Sequence, residues 1–354
     1  MGKLILAINP GSTSTKVAVF ENQQELHKTN IVHPSETLEG FEKITDQYAM
    51  RYESIMAFLK EIGITVQDLS AVVGRGGLLP PVASGAYLVN QKMVDRLRFN
   101  PVVEHASNLG ALIAFEIAKH AGIDAYIYDP VAVDELQDIA RLSGLKEIPR
   151  RSLVHALNIR SVAINTAKSK GKDLSAFNAI VAHLGGGITI AAISGGKMID
   201  IVSDDEGPFS PERSGGLPGK DLVAMSYKND QATMKKKLRG KGGLVSYLGT
   251  NEALKVEEMI EAGDTEALLV YEAMAYQIAK GIGELATVLS GSVDHIILTG
   301  GIAYSKRITE WISKRVGFIA PVIVSPGENE LQALANGTFR VLQGEESARE
   351  YDID

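Results

Sequence analysis

The sequence predicts an α/β protein in which one domain is repeated, and three observations predict it. Short apolar runs rich in Val, Ile and Ala, each stopped by glycine or proline, alternate with longer segments whose apolar residues recur at helical spacing. A unit of strand, glycine turn and strand opens the chain at Leu4 to Phe20 and returns at Ile180 to Ala191; shifted by 175 positions, Ala7 falls on Ala182, Gly11 on Gly186, Ser14 on Thr189 and Val17 on Ala192. At 354 residues the chain is long enough for two domains of ordinary size, each with its own core.

The opening stretch reads as a β-hairpin, with one apolar run ending at Asn9 and a second starting at Val17. Its tip is rich in small donors. Gly11 lets backbone N–H groups come close to a ligand, the hydroxyls of residues 12 to 15 add short donors, and Lys16 adds a point charge, so the turn suits a phosphate. An ordinary Ser/Thr-rich hairpin fits the same residues. Residues 25 to 33 read as another extended segment. Phe41, Ile44, Tyr48, Ile55 and Leu59 suit one long amphipathic helix from about 38 to 62, ended by Gly63. Ala71 to Val73 is a short buried strand running into Gly74, Arg75, Gly76 and Gly77, then Pro80 and Pro81, and an arginine among glycines at a strand end lies near backbone rather than in a core. Helical spacing at Leu109, Leu112, Ile113 and Ile117 precedes a strand at Ala125 to Tyr128 that delivers Asp129 and Pro130 at its tip, where ligand groups of α/β folds gather.

In the second half, Ile180 to Ala191 is followed by a third strand after Gly195 and Gly196. Pro208, Pro211 and Pro218 mark a long ordered loop around Arg213. No proline interrupts 264 to 290, where Tyr271, Met274, Ile278, Ile282, Leu285 and Leu289 form one apolar stripe, a helix for a core or an interface. Its Gly281 and Gly283 imitate a dinucleotide fingerprint, but no strand precedes them. His295 to Leu298 is a strand, Thr299, Gly300 and Gly301 a tight turn fit for a nucleotide's sugar or base, and Tyr304 to Arg315 a helix. A last strand near 321 to 325 leads through Pro326 to Glu330 into a final helix ending at about 342.

Composition narrows the function. Hydrophobic content of 45% with 22% charged residues is globular, and a net charge of −7 argues against a nucleic-acid partner. The run Lys235 to Arg239 reads as a solvated helix face. No cysteine occurs, which excludes disulfides and thiolate metal sites. The first apolar run is too short for a signal peptide and none approaches about eighteen residues, so no membrane contact and a cytoplasmic location are expected. A P-loop pattern is absent. His183 has no partner at metal-ligand spacing and reads as a structural histidine or a phosphate-facing donor. Arg75 and Arg213, each in a loop of glycine and proline, would singly read as surface residues. Together with Lys16 and His155 as cations, and Asp129 and Glu330 as carboxylates, they make a candidate anion-transfer site: cations for phosphoryl oxygens, acids for Mg²⁺.

Ile8 to Lys16, reading Ile-Asn-Pro-Gly-Ser-Thr-Ser-Thr-Lys, resembles the first signature of the acetate/propionate/butyrate kinase (acetokinase) family, and His183 to Thr189 resembles its second. The signatures come in the family's order and the similarity spans nearly the whole chain. Asn9 to Lys16, the loop Gly207 to Arg213 and the short length resemble the family's butyrate-using members most closely. The resemblance implies a duplicated actin/hexokinase-like (ribonuclease H-like) ATPase fold, two domains with an interdomain cleft for ATP. Residues 1–150 would form the acyl and phosphoryl side, 151–330 the nucleotide side, and 331–354 a C-terminal helix packing back on the first domain. It further implies the reaction ATP + carboxylate ⇌ ADP + acyl phosphate, with Mg²⁺, only small-molecule partners, and a homodimer or larger homo-oligomer.

Carried over by position, Asn9, Ser12, Ser14 and Lys16 match residues facing the transferred phosphoryl group. Arg75 matches the arginine that holds the acyl carboxylate, Arg213 the one on the phosphoryl group in flight, and His155 the histidine that stabilises the transition state. Asp129 matches the acid near Mg²⁺, and Glu330 the Mg²⁺-associated glutamate, although Glu328-Asn329-Glu330 replaces the family's Asn-Glu-Glu and leaves the register open by one. His183 with Gly185, Gly186 and Gly187 matches the phosphate-binding loop, and Gly300 with Gly301 the adenosine turn. After His155, Ala156-Leu157-Asn158-Ile159 departs from the family's Gly-Thr-Ser-His and removes a second histidine. Val154 stands for a bulky aromatic and Gly77 for a valine, changes expected to open space for a longer acyl chain. Propionate, acetate or a branched acid such as isobutyrate are the alternative acceptors. A sugar or polyol kinase would need a base, and a conformational actin-like ATPase would form no acyl phosphate.

Overall fold

In the computed structural model, which describes residues 2–353, the opening stretch is a hairpin of β1 (Leu4–Pro10) and β2 (Ser14–Glu21), extended by β3 (Gln24–Val32) into an antiparallel meander. Past α1 (Ser35–Glu39) and α2 (Tyr48–Glu61), β4 (Ala71–Arg75) lies parallel to β1. Then follow β5 (Ala86–Leu88), α3 (Gln91–Phe99), α4 (Asn108–Ala121) and β6 (Ala125–Tyr128), which lies parallel to β4. Both faces of β1 are buried, so both need a cover. Leu6 and Ile8 join Val17, Val19 and the α4 residues Leu109, Leu112 and Ile113 in one cluster. Ile5 and Ala7 point to the opposite face.

The first α-helix of the second unit is α5 (Ala156–Ser169), and the unit repeats the meander as β7 (Ala179–Leu184), β8 (Ile188–Ser194) and β9 (Lys197–Val202). α6 (Gly219–Ser226), α7 (Gln231–Leu238), α8 (Gly243–Leu248) and α9 (Ala253–Glu261) precede α10 (Thr265–Val288), whose first turn is capped by Asp264. The α10 stripe is core: Tyr271, Met274, Ile278, Ile282 and Leu285 are buried against strands of their own unit. β10 (His295–Gly300), α11 (Lys306–Val316) and β11 (Val322–Pro326) complete this unit, with β10 parallel to β7 and to β11. The chain ends in the first unit: α12 (Glu330–Leu342) packs on β1, β4 and β6, and β12 (Arg349–Glu350) pairs with β5. Among the described residues no helix is long and apolar enough to cross a membrane.

The strand orders are β12-β5-β6-β4-β1-β2-β3 and β11-β10-β7-β8-β9, so five strands recur in the same order and sense. Duplication is real, but the constant offset of 175 is not. Asn9 and Leu184 correspond at that spacing, whereas their ladder partners Lys16 and Ile188 are 172 apart, because the second turn is three residues shorter. Val17 therefore corresponds to Thr189, not to Ala192. The domain boundaries also move from those expected at 150 and 330. The first unit takes residues up to Asp134 and from Asn329 on, and the second is Glu135–Glu328. Residues 135 to 150 belong to the second because they are bonded into it: Gln137 N–H donates to Ile199 O (3.0 Å), and Arg150 pairs with Asp200 (3.0 Å) and Glu206 (3.2 Å). The single helix expected over 38 to 62 is broken. α1 ends at Gly40, and a new turn starts where Asp46 accepts from Lys43 N–H (3.0 Å).

Two packing features govern the first unit. Glycines at 74 and 110 bring α4 onto β4, since a Cβ on Gly110 would sit 2.5 Å from Arg75 O. Beneath the hairpin tip, Arg51 is fully buried with Gln47, Thr15 and His33, and His33 Nε2 shares a hydrogen bond with Thr15 Oγ1 (2.9 Å). Burial, and after it the Arg51 guanidinium, hold His33 below the ordinary histidine range.

Gly110→Ala is expected to cost about 1–3 kcal/mol by overpacking, read as a lower urea midpoint, and to lower activity through Arg75; an unchanged midpoint would contradict the close approach. His33 binds its proton more weakly folded than unfolded. Its contribution to stability is therefore complete above the unfolded value of about 6.5 and is lost as pH falls below it. Urea midpoints should drop between about pH 7.5 and about pH 5, and drop less in His33→Gln. An equal drop in both proteins removes His33 as a source.

Candidate active site

Because β1, β4 and β6 are parallel neighbours, Asn9 and Arg75, in the last residues of their strands, and Asp129, one residue past β6, come out at the same carboxyl edge of the sheet. The side-chain amide of Asn9 donates to Glu330, and the other oxygen of the same carboxylate contacts Arg75. Glu330 lies in the first turn of α12, where the helix dipole favours an acid. Gly76 is needed beside Arg75 because Pro130 fills the space of a Cβ. Asp129 is buried with a left-handed backbone (φ +40°), a conformation that costs a non-glycine residue about 1–3 kcal/mol and persists where the surroundings impose it. Gly85 imposes it: its N–H donates to Asp129 Oδ1 (2.7 Å) and its carbonyl accepts from Asp129 N–H (3.1 Å). Ser12 is exposed at the hairpin tip and Ser14 half-buried. Lys16 is exposed opposite Asn9 and makes no ion pair among the described residues.

In the second unit the ends of β7, β10 and β11 share an edge likewise. His183 is buried and stacks on His155, with centroids 4.0 Å apart and planes 13° apart. His155 Nδ1 shares a hydrogen bond with Thr189 Oγ1 (2.9 Å). His183 Nε2 lies 3.1 Å from Glu328 Oε1, within ion-pair range but without hydrogen-bond alignment, so neither buried ring nitrogen of His183 has a hydrogen-bond partner among the described residues. Arg213 packs against Gly187, where any Cβ would overlap its guanidinium. The two loops are latched: Gly186 O accepts from Ser210 Oγ (2.7 Å) and from Glu212 N–H (3.4 Å). Arg213 contacts the buried Asp204, which also pairs with Arg239 (3.1 Å). Burial and then the Arg239 charge bring Arg213 down to about 10, which leaves it protonated at neutral pH. Gly300 (φ +91°) exchanges hydrogen bonds with Gly327, and Gly301 is open on its Cβ side. Asn158 donates to Gly327 O (3.2 Å) and accepts from Thr299 Oγ1 (3.1 Å), so it ties two strand ends together.

One expectation fails. Gly77 opens no space, because Asn108 and Leu97 fill the volume a side chain would take there. Glu330, and not Glu328, is the glutamate beside Asn9, whereas Glu328 stands beside His183. Several residues escaped the sequence reading. Asp204 sits in the run Asp204-Asp205-Glu206, and nothing in that run marks the one acid that meets Arg213. Arg51 lies on a helix among other charges and carries no sequence signal of burial.

The acetokinase family model matches residues 141–333. The chain is 51% identical to butyrate kinase 2 of Clostridium acetobutylicum over 98% of its own length and 99% of that protein's. It is likewise 51% identical to a probable butyrate kinase 2 of Caldanaerobacter subterraneus subsp. tengcongensis, covering 98% of this chain and 99% of the other. The crystal structure of acetate kinase from Porphyromonas gingivalis matches with a TM-score of 0.78 at 19% identity, over 96% of this chain and 100% of that one. That likeness, with the repeated strand order, gives the two-domain actin/hexokinase-like ATPase fold. With a family model covering more than half of its residues and one residue in two shared with such relatives over almost its full length, the chain belongs to the acetokinase family.

Proposed function

We propose that this protein transfers the γ-phosphoryl group of ATP to butyrate, giving butyryl phosphate and ADP. A carboxylate has a pKa of roughly 4 to 5, so the nucleophile is already an anion and a general base has no proton to remove. The obstacle is bringing an anion to a polyanion, and it is met by positive charge and alignment. A carboxylate oxygen attacks the γ-phosphorus, the bond from that phosphorus to the β,γ-bridging oxygen breaks, and ADP leaves with the electron pair.

The first unit handles the acceptor. The observation that carries this reading is that Arg75 already holds a carboxylate, that of Glu330, at the sheet edge. Kinship with butyrate kinases over 98% of the chain supports butyrate as that acceptor. The second unit handles the nucleotide. Arg213 packs against Gly187 of its glycine turn, so one guanidinium and the turn's N–H groups act on the same oxygens. His155, oriented by Thr189, adds a donor to the transition state. Asp129 and Glu330 are the acids that would hold Mg²⁺. Among the described residues no group of three His, Asp or Glu could cage a metal, a donor set that fits an ion bound largely by phosphates and water. When bound, Mg²⁺ neutralises charge on the triphosphate. Dependence on ATP makes a cytoplasmic location part of the same proposal.

Hydroxylamine trapping with ATP, Mg²⁺ and acids of two to five carbons tests this reading. Butyrate should exceed acetate roughly tenfold in kcat/KM, since each further buried methylene is worth about 0.8 kcal/mol. Equal use of acetate would sink the butyrate preference, and ATP hydrolysis without any hydroxamate would favour a conformational ATPase. Arg213→Ala should lose on the order of 10³ in kcat, and a near-normal kcat would take Arg213 out of the mechanism.

A further inference from the structure

We infer that Arg51 is a positioning residue for phosphoryl transfer, a buried cation behind the turn Gly11 to Ser14 that aims the turn's donors outward. The inference rests on reading that turn as a phosphate site. Arg51 is fully buried and all five of its N–H groups are spent. Nη2 donates to Ser12 O (3.2 Å) and to Gln47 Oε1 (2.9 Å), Nη1 to Ser14 O (3.0 Å) and to Thr15 Oγ1 (2.9 Å), and Nε to Gln47 Oε1 (3.1 Å). The remaining carbonyl, Thr13 O, accepts from His33 N–H (2.9 Å), and Ser14 O accepts a further bond from Gly11 N–H (2.7 Å). Every carbonyl from Ser12 to Ser14 is thus drawn into the protein. The N–H groups of Ser12 and Thr13, both exposed, have no partner among the described residues. Two successive free N–H groups with their carbonyls turned away form an anion nest.

Charge points the same way. Arg51 has no carboxylate partner among the described residues, and its near neighbours Gln47, Thr15 and His33 are neutral, His33 being held in its uncharged form. A buried guanidinium satisfied only by neutral acceptors keeps its full positive potential, and the turn is the layer between it and the exposed face. The anion that compensates it is the phosphoryl group held at the nest. The flat fork matters as well as the charge, because two different guanidinium nitrogens hold the carbonyls of Ser12 and Ser14, and a lysine would replace five fixed donors by three on a flexible stem.

The test uses the full chain, with kcat, KM for butyrate, the Kd of ADP by calorimetry, and circular dichroism for folding. Arg51→Lys is expected to lower kcat by about 10²-fold, the effect of misaligning a reacting group by about 1 Å, with KM for butyrate and the Kd of ADP within about twofold. A folded Arg51→Lys protein with normal kcat would overturn the inference. So would a parallel fall in kcat and ADP binding, which marks a merely structural role. Gln47→Leu frees two of the five N–H groups while keeping the charge, and covers the case in which Arg51→Lys does not fold. It should lower kcat about tenfold with ADP binding unchanged, and a wild-type kcat there overturns the inference equally. Ser12→Pro, or Thr13→Pro where that does not fold, removes one of the two free N–H groups and addresses the underlying reading: a folded variant with normal kcat removes the phosphate turn itself. A loss there beside a silent Arg51→Lys removes Arg51 alone.

Discussion

The register of β1 is the constraint on which the first unit depends. β1 is hydrogen-bonded on both sides, with Ile8 facing Val17 on β2 and Gly74 on β4. Since side chains alternate, a slip of one residue would turn Asn9 into the α4 core and send Ile8 toward Glu330. The same ladder carries Arg75 to the edge one residue beyond Gly74. The glycines at 74 and 110 that let α4 touch β4 are therefore part of what holds Arg75 where Glu330 meets it.

Charge follows a consistent rule in both units. Each arginine assigned to the chemistry is partly buried and already faces an acid: Arg75 meets Glu330, and Arg213 meets Asp204, itself shared with Arg239. Such pairing lets a guanidinium sit near backbone without the cost of an uncompensated buried charge. Arg51 is the exception, buried among neutral acceptors, and its exception coincides with the turn that has spare N–H groups.

The two halves build one topology around two different turns. In the first, a longer turn with hydroxyls is backed by a buried cation. In the second, a turn three residues shorter leaves room for a guanidinium to lie directly on Gly187, so that the arginine comes from the front rather than from behind. The histidine pair lies beside that glycine turn, with Thr189 on β8 orienting His155 and Glu328 beyond β11 facing His183.

The α/β class, most strands near the site, the duplication and the candidate residues were legible in the sequence, because periodicity and glycine act locally. A strand is written in a run such as Ile180 to Leu184, and a turn in Gly185 to Gly187. What depends on packing across the chain was not. The boundary at Asp134 is set by bonds from Gln137 and Arg150 to distant strands, the broken helix before Tyr48 by a capping interaction, and the filled space at Gly77 by Asn108 on another element. The identity of Arg213's acid among three adjacent candidates, and the burial of Arg51 beneath the hairpin tip, were likewise decided by tertiary structure. Both follow from which face of a segment meets its neighbour, and adjacent side chains in one sequence can point to opposite environments.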